Sequence, residues 1–296
     1  MNVKRLTAGL AAAMMAISGF AFGAMAEGRI GAPKDKGLWL QDAANEQARR
    51  VADFNMELMY IITVITVLVF VLMFYVMWRF RAKKNPVPSK VSHNTLIEII
   101  WTGVPIIILA VIGATSLPLL YYQDTVPETE FAINVTGNQW NWTYAYPDHG
   151  GIEFTSSVVD DATFADPAKK AAAEAELSNF LGWPAKMNAR LLDTDNRVVV
   201  PVGTKIKVHL TASDVIHAWA LPSLGVKLDA VPGRLNETWF EVDAVGTYYG
   251  QCSELCGKDH AYMPIAVEAV SKEDFAKWVE RAKADYADAS TTALGR

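Results

Sequence analysis

Cysteine is nearly missing from this chain of 296 residues: there are two, with only five histidines. No general acid, nucleophile–base set or glycine-rich phosphate loop is legible, so the chain itself carries no hydrolytic or phosphoryl-transfer chemistry. Charge is missing too, but locally. Leu58–Trp78 contains no charged residue, and residues 96–120 contain only Glu98. Two such stretches exclude a simple soluble protein. The net charge of −5 gives no reason to expect a nucleic-acid partner.

What is present is concentrated in one loop. The run Cys252-Ser-Glu-Leu-Cys256-Gly-Lys-Asp-His260-Ala-Tyr-Met263 holds both cysteines, one histidine and one methionine. Soft sulfurs with a borderline imidazole suit copper rather than magnesium or calcium. A further histidine, His217, lies upstream in Asp214-Val-Ile-His217-Ala-Trp219. An early His followed by a loop of Cys, His and Met is how single-copper electron-transfer domains present their ligands, and this loop offers one sulfur more. Two other readings stay open. A zinc site of two Cys and two His has no use for a methionine. A disulfide leaves His260 and Met263 without a purpose. Haem attachment needs Cys-x-x-Cys-His, which is absent. Ligand chemistry therefore ranks copper first, zinc second and a disulfide last.

The run Gly250 to Pro264 resembles the CuA loop of cytochrome c oxidase subunit II. So do Asp214-Val-Ile-His217-Ala-Trp-Ala, Asp229-Ala-Val-Pro-Gly-Arg234-Leu-Asn and Gly137-Asn-Gln-Trp140-Asn-Trp142-Thr-Tyr144. The resemblance runs from the first apolar stretch to about residue 280. It implies two coppers bridged by Cys252 and Cys256, with His217 and His260 each capping one. Met263 and the backbone carbonyl of Glu254 would complete the two coordination spheres. It further implies that the Glu254 carboxylate faces a Mg2+ shared with subunit I. Trp140 would be the residue through which electrons come in from cytochrome c, toward Met263. The electrons would then leave by His260 for haem in subunit I, where oxygen is reduced to water with proton pumping. Other oxidase subunits are implied as further partners.

Along the chain, residues 1–26 read as a signal peptide. Lys4 and Arg5 precede an apolar core too short to span a bilayer, and Ala24-Met25-Ala26 is a cleavage pattern. Residues 27–55 form a polar lead-in outside the membrane. Residues 56–121 then form a transmembrane hairpin with spans at about 58–78 and 96–120. Leu58–Trp78 is about 31 Å long as a helix, enough to cross. The loop at 79–95 carries Arg79, Arg81, Lys83, Lys84 and Lys90 and no acid. The positive-inside bias puts that loop in the cytoplasm, and residues 122–296 therefore in the periplasm of a bacterial inner membrane. Glu98 sits near the cytoplasmic end of the second span. Position alone leaves it between an interfacial acid and an ion-path acid; the resemblance places it at the mouth of a proton channel in the partner subunit. Pro105 is expected to kink this helix.

From residue 131 the apolar period becomes two. Strands are expected at 131–136, 140–146, 197–201, 205–211, 237–242, 247–251 and 264–270, parted by turn residues, which describes an all-β sandwich or barrel. The resemblance makes it a cupredoxin-like domain over 122–270. Trp140 and Trp142 share a face by period two. Residues 163–188 read as a helical excursion on the surface. Ser271 to Asp274 is a capping box opening a last helix to about Ala287, with a disordered tail beyond, within the segment 271–296. His93, His149 and His209 are not ligand candidates. Acids outnumber bases over 122–296, which suits docking of a basic partner. By resemblance Asp195 and Asp214 belong to the docking patch, and Asp160 and Asp161 extend it.

Overall fold

In the computed structural model, which describes residues 32–34, 36–87 and 89–293, two long helices lead into a β domain. The expected signal peptide at 1–26 lies outside the described residues. Helix α1 spans Glu46–Arg79 and α2 spans Thr95–Asp124. Both are long and apolar enough to cross a membrane, and their apolar side chains point away from the protein rather than into a core. Lipid is the solvent such surfaces need.

The expected spans at 58–78 and 96–120 fall inside these helices, but α1 begins well before the charge-free run. Its start is set by a cap: Asn45 Oδ1 accepts the amide of Ala48 at 2.8 Å. Glu46 then pairs with Arg49 and Arg50 one turn on. α2 opens on Asn94, whose Oδ1 accepts from Ile97 N at 3.2 Å, and it continues through Pro105 and Pro118. Thr115 of α2 donates to Glu57 of α1 at 3.1 Å, a polar link across the hairpin.

The β domain holds strands β1 (Phe131–Asn138), β2 (Asn141–Tyr146), β3 (Ile152–Ser156), β4 (Val198–Pro201) and β5 (Ile206–Ala212). Then come β6 (His217–Leu221), β7 (Val226–Ala230), β8 (Asn236–Phe240), β9 (Gly246–Gln251) and β10 (Pro264–Val270). One sheet orders β3-β2-β1-β5-β8, a second β4-β10-β9, and β6-β7 form a pair. β1–β5 and β4–β10 run parallel; the other pairings are antiparallel. Alternation drives the assembly: every second residue of β1 is buried, and β2 buries Trp142, Tyr144 and Tyr146 completely.

β3, β6 and β7 were not among the expected strands. β6 is buried at all five positions, so it shows no alternation to read. Trp140 was expected within a strand and on the same face as Trp142. Instead β2 begins at Asn141, and Gln139 and Trp140 form the two-residue turn between Asn138 and Asn141. Trp142 is in the core, while Trp140 is only partly buried.

The excursion is two helices, α3 (Asp161–Ala165) and α4 (Pro167–Leu181), capped by Asp160 and Asp166. It is more than a surface decoration, because Leu177 and Leu181 are fully buried. Phe180 meets Phe154 of β3 and Trp278 of the last helix, α5 (Lys272–Ala293). α5 opens on the expected cap, with Asp274 N donating to Ser271 Oγ at 3.0 Å. It runs on to Ala293, through the stretch expected to be a disordered tail, since no Gly or Pro intervenes to stop it.

Under the second sheet lies a buried ion network. Arg197, 2% exposed, reaches Asp193 at 2.7 Å and Glu268 of β10 at 2.9 Å. Tyr249 of β9 donates to Asp193 at 3.0 Å. Burial opposes the charge, yet Tyr249, Asp193 and Glu268 hold the guanidinium above its usual value. Arg197→Ala strands two acids and is expected to destabilise the domain by about 3–5 kcal/mol. Chemical unfolding of the full chain in detergent, followed by tryptophan fluorescence, checks this; an unchanged midpoint counts against it.

Candidate metal centre

β9 ends at Gln251 and β10 begins at Pro264, and these two residues pair in register. Cys252 N donates to Met263 O at 2.9 Å, so the loop between them is closed at its base. Ser253 N donates to Ala218 O of β6 at 3.0 Å, which lays the loop across the strand that starts with His217. Two glycines permit this packing. A Cβ on Gly250 would lie 1.8 Å from the Ala220 carbonyl, and one on Gly137 would lie 2.8 Å from the His217 ring.

The arrangement gathers two thiols and two imidazoles. Cys252 Sγ and Cys256 Sγ are 3.8 Å apart, and both thiols are free and buried. His217 Nδ1 stands 4.0 Å from Cys252 Sγ, and His260 Nδ1 3.6 Å from Cys256 Sγ. The ligand atoms of His217, Cys252 and Cys256 all lie within 4.8 Å of one another, a group that could hold a metal ion. The Glu254 carbonyl is 3.3 Å from Cys252 Sγ, while the Glu254 residue itself is exposed. Met263 is fully buried at the end of the loop.

Burial, followed by the neighbouring Cys252, pushes the Cys256 thiol up to about 12. The Cys256 thiol therefore keeps its proton until a cation displaces it. Metal affinity rises with pH for that reason.

Asp214 supports the histidine. Its Oδ1 lies 2.9 Å from His217 Nε2 and 2.6 Å from Val215 N, and its Oδ2 accepts Gln139 N at 2.7 Å. Burial alone would raise the Asp214 carboxyl; the hydrogen bonds from His217, Val215 and Gln139 hold it below its usual range. With Nε2–H given to the carboxylate, Nδ1 is left as the ring's acceptor toward Cys252. Asp214 was expected on a docking patch; its carboxylate is turned on to these three groups, with 30% of the side chain still exposed. Asp195 stands apart and exposed, accepting the amides of Ser157 and Asn196, each at 2.7 Å. Asp160 caps α3, and Asp161 pairs with Arg190 at 2.5 Å.

Trp140 was expected to lead toward Met263. Its indole Nε1 donates to the carbonyl of Cys256 at 3.3 Å. Gln139 Nε2 donates to the same carbonyl at 2.8 Å. Gly257, at φ +127°, leaves room for the indole: a Cβ there would lie 3.0 Å from it. Lys258 Nζ sits 5.4 Å over the Trp140 ring. Gln139 had no role in the sequence reading; its place beside Trp140 in a two-residue turn was the available signal. Glu98 is brought to none of this. It lies in the first turn of α2, the helix length away from the domain, where its carboxylate accepts Asn94 N at 3.3 Å.

Asp214→Asn removes the carboxylate that orients His217. The expected result is a loss of about 10–100-fold in metal affinity, the usual effect of deleting such a partner. Competition of the full chain against a chelator of known strength checks it, with Asp195→Asn as the control expected to match wild type.

Residues 131–270 match the family Cytochrome C oxidase subunit II, periplasmic domain, and residues 33–119 match its transmembrane domain. The probable cytochrome c oxidase subunit 2 of Rickettsia bellii is 48% identical over 242 residues, covering 82% of each chain. The cytochrome c oxidase subunit 2 of Cereibacter sphaeroides is 44% identical over 255 residues, covering 86% of this chain and 83% of that one. The crystal structure of the periplasmic domain of subunit II from Bradyrhizobium japonicum shares 48% identity, covers 55% of this chain and 99% of that one, and superposes with a TM-score of 0.45. Two apolar helices, a β domain and a histidine–thiol group at its end agree with the family matches and the two relatives: the chain belongs to the cytochrome c oxidase subunit II family and is a subunit of that oxidoreductase.

Proposed function

We propose that this chain accepts electrons from cytochrome c at a binuclear copper centre and passes them to haem in subunit I, which reduces oxygen to water with proton pumping. The observation that carries this reading is the pair of thiols at 3.8 Å with one imidazole beside each. The donor set fits copper: the thiolates of Cys252 and Cys256 with the imidazoles of His217 and His260 would hold it, and Met263 and the Glu254 carbonyl would be weaker donors. A copper pair held there supplies a one-electron store.

The chain's own residues do the rest. Trp140 joins the surface to Cys256 through one hydrogen bond, and Gln139 braces the same carbonyl. Asp214 fixes the ring of His217. Cys252 and Cys256 are 5% and 3% exposed, which keeps water off the sulfurs and disfavours a carrier that must exchange its metal. His260, beside Cys256, is the exit toward haem. The exposed Glu254 carboxylate is free to take a Mg2+ at the boundary with subunit I. Glu98 stands at the opposite end of the hairpin, at the mouth of the partner's proton channel. On this reading α1 and α2 cross a bacterial inner membrane, with the loop at 79–95 in the cytoplasm and the β domain in the periplasm.

Two substitutions test the assignment. Trp140→Phe keeps the ring in its turn but removes the N–H; copper absorption is expected to stay normal while electron uptake from cytochrome c slows severely. Stopped-flow mixing reads both, and an unchanged uptake rate would place the route elsewhere. Cys252→Ser is expected to abolish the purple absorption of the paired centre, and its survival would defeat the bridging role.

For docking, Asp195→Asn is expected to flatten the salt dependence of cytochrome c oxidation without altering the copper spectrum. Steady-state oxidation across a salt series decides; a curve that overlays wild type makes Asp195 ordinary solvated surface.

A further inference from the structure

α1 has 34 residues, about 51 Å of helix against a hydrocarbon core of roughly 30 Å. Its surplus runs into the β domain. Ala44, Asn45, Gln47 and Ala48 are all buried there. Asn45, 3% exposed, uses both ends of its amide. Its Oδ1 caps the helix, while Nδ2 donates to the Leu224 carbonyl at 3.1 Å and the Glu241 carbonyl at 2.9 Å. The backbone joins in: Ala44 N donates to Ser223 O at 2.8 Å, and Asp243 N to Ala44 O at 3.1 Å. Arg49 pairs with Asp243 at 2.7 Å.

The second helix meets the same spot. Gln47 and Gln123 both donate to the Gly225 carbonyl, at 3.0 and 3.4 Å. Gly225 adopts φ +68°, and a Cβ there would lie 3.0 Å from Ala48 N. The contacts to Ser223, Leu224 and Gly225 fall on the turn Pro222–Leu224 and its cap, directly after β6; those to Glu241 and Asp243 fall just after β8. β6 is five buried residues long, about 16 Å, and its other end is His217. The only covalent link from hairpin to domain is the short segment after Asp124, which by itself would let the domain tilt. A second, non-covalent point of attachment removes that freedom.

We propose that Asn45 is a positioning residue for electron exit: it ties α1 to the foot of β6 and so fixes where His217 and the loop above it stand relative to the membrane. The proposal rests on the electron-transfer reading for its consequence, though not for the tie itself.

Asn45→Asp discriminates. Aspartate caps helices as well as asparagine does, so a residue that only caps should tolerate it. As an anchor it fails, because the donor facing two carbonyls becomes a third acceptor. Gly225→Ala attacks the same joint from the other side. In the assembled oxidase, both variants are expected to keep the copper absorption and the rate of reduction by cytochrome c, while the flash-initiated transfer from copper to haem falls several-fold. Hydrogen exchange on the full chain alone should quicken at 222–225 and 241–243, a readout that needs neither copper nor assembly. Unchanged exchange in Asn45→Asp overturns the tie. Faster exchange with an unchanged internal rate overturns the positioning role. If the wild type lacks the copper absorption, the electron-transfer reading fails instead, and the exchange result still decides the tie.

Discussion

The hydrogen bond from the Cys252 amide to the Met263 carbonyl is the constraint on which the candidate site depends. It makes the two ends of the loop neighbours, so that everything between must arch over β6. The arch brings Cys256 back beside Cys252 and sets His260 on its outer flank. A flexible loop would lose ordering entropy each time it gathered four donors; a loop closed by a strand pair has lost it already on folding. The pair of strands is itself braced beneath by Arg197 through Glu268 and, by way of Asp193, through Tyr249.

Around this frame the polar contacts form a connected circuit. Asp214 receives His217 on one oxygen and Gln139 on the other; Gln139 and Trp140 then converge on the Cys256 carbonyl. A thiol flank, a histidine and a surface indole are thus held by one short turn. The low dielectric of the site strengthens each bond and makes any gap in the circuit expensive.

Much of this was legible in the sequence. The two apolar helices, the cap at Ser271 and most strands followed from charge, capping residues and period two. Residue chemistry singled out His217, Cys252, Cys256, His260 and Met263 as candidate donors, while their separate roles and the Glu254 carbonyl came only from the resemblance. What escaped was long-range. β6 is buried on both faces, so its sequence lacks alternation. Asp214 reads as one more acid until the fold brings Gln139 and His217 to it. The start of α1 depends on Asn45, a cap ahead of polar residues that a search for apolar runs passes over. Trp140 looked like a strand residue because the turn it occupies has only two positions and no glycine.

The helical excursion and the C-terminal helix carry a consequence for how this protein can change. Phe180 of α4 is wedged against Trp278 of α5 and Phe154 of β3, and Arg281 of α5 donates to the carbonyls of Phe180 and Leu181. Neither helix can be trimmed alone, because each would leave the other's aromatic face in water. The two segments, about a hundred residues apart in the chain, are therefore a single cassette: shortening either one uncovers apolar surface on the other.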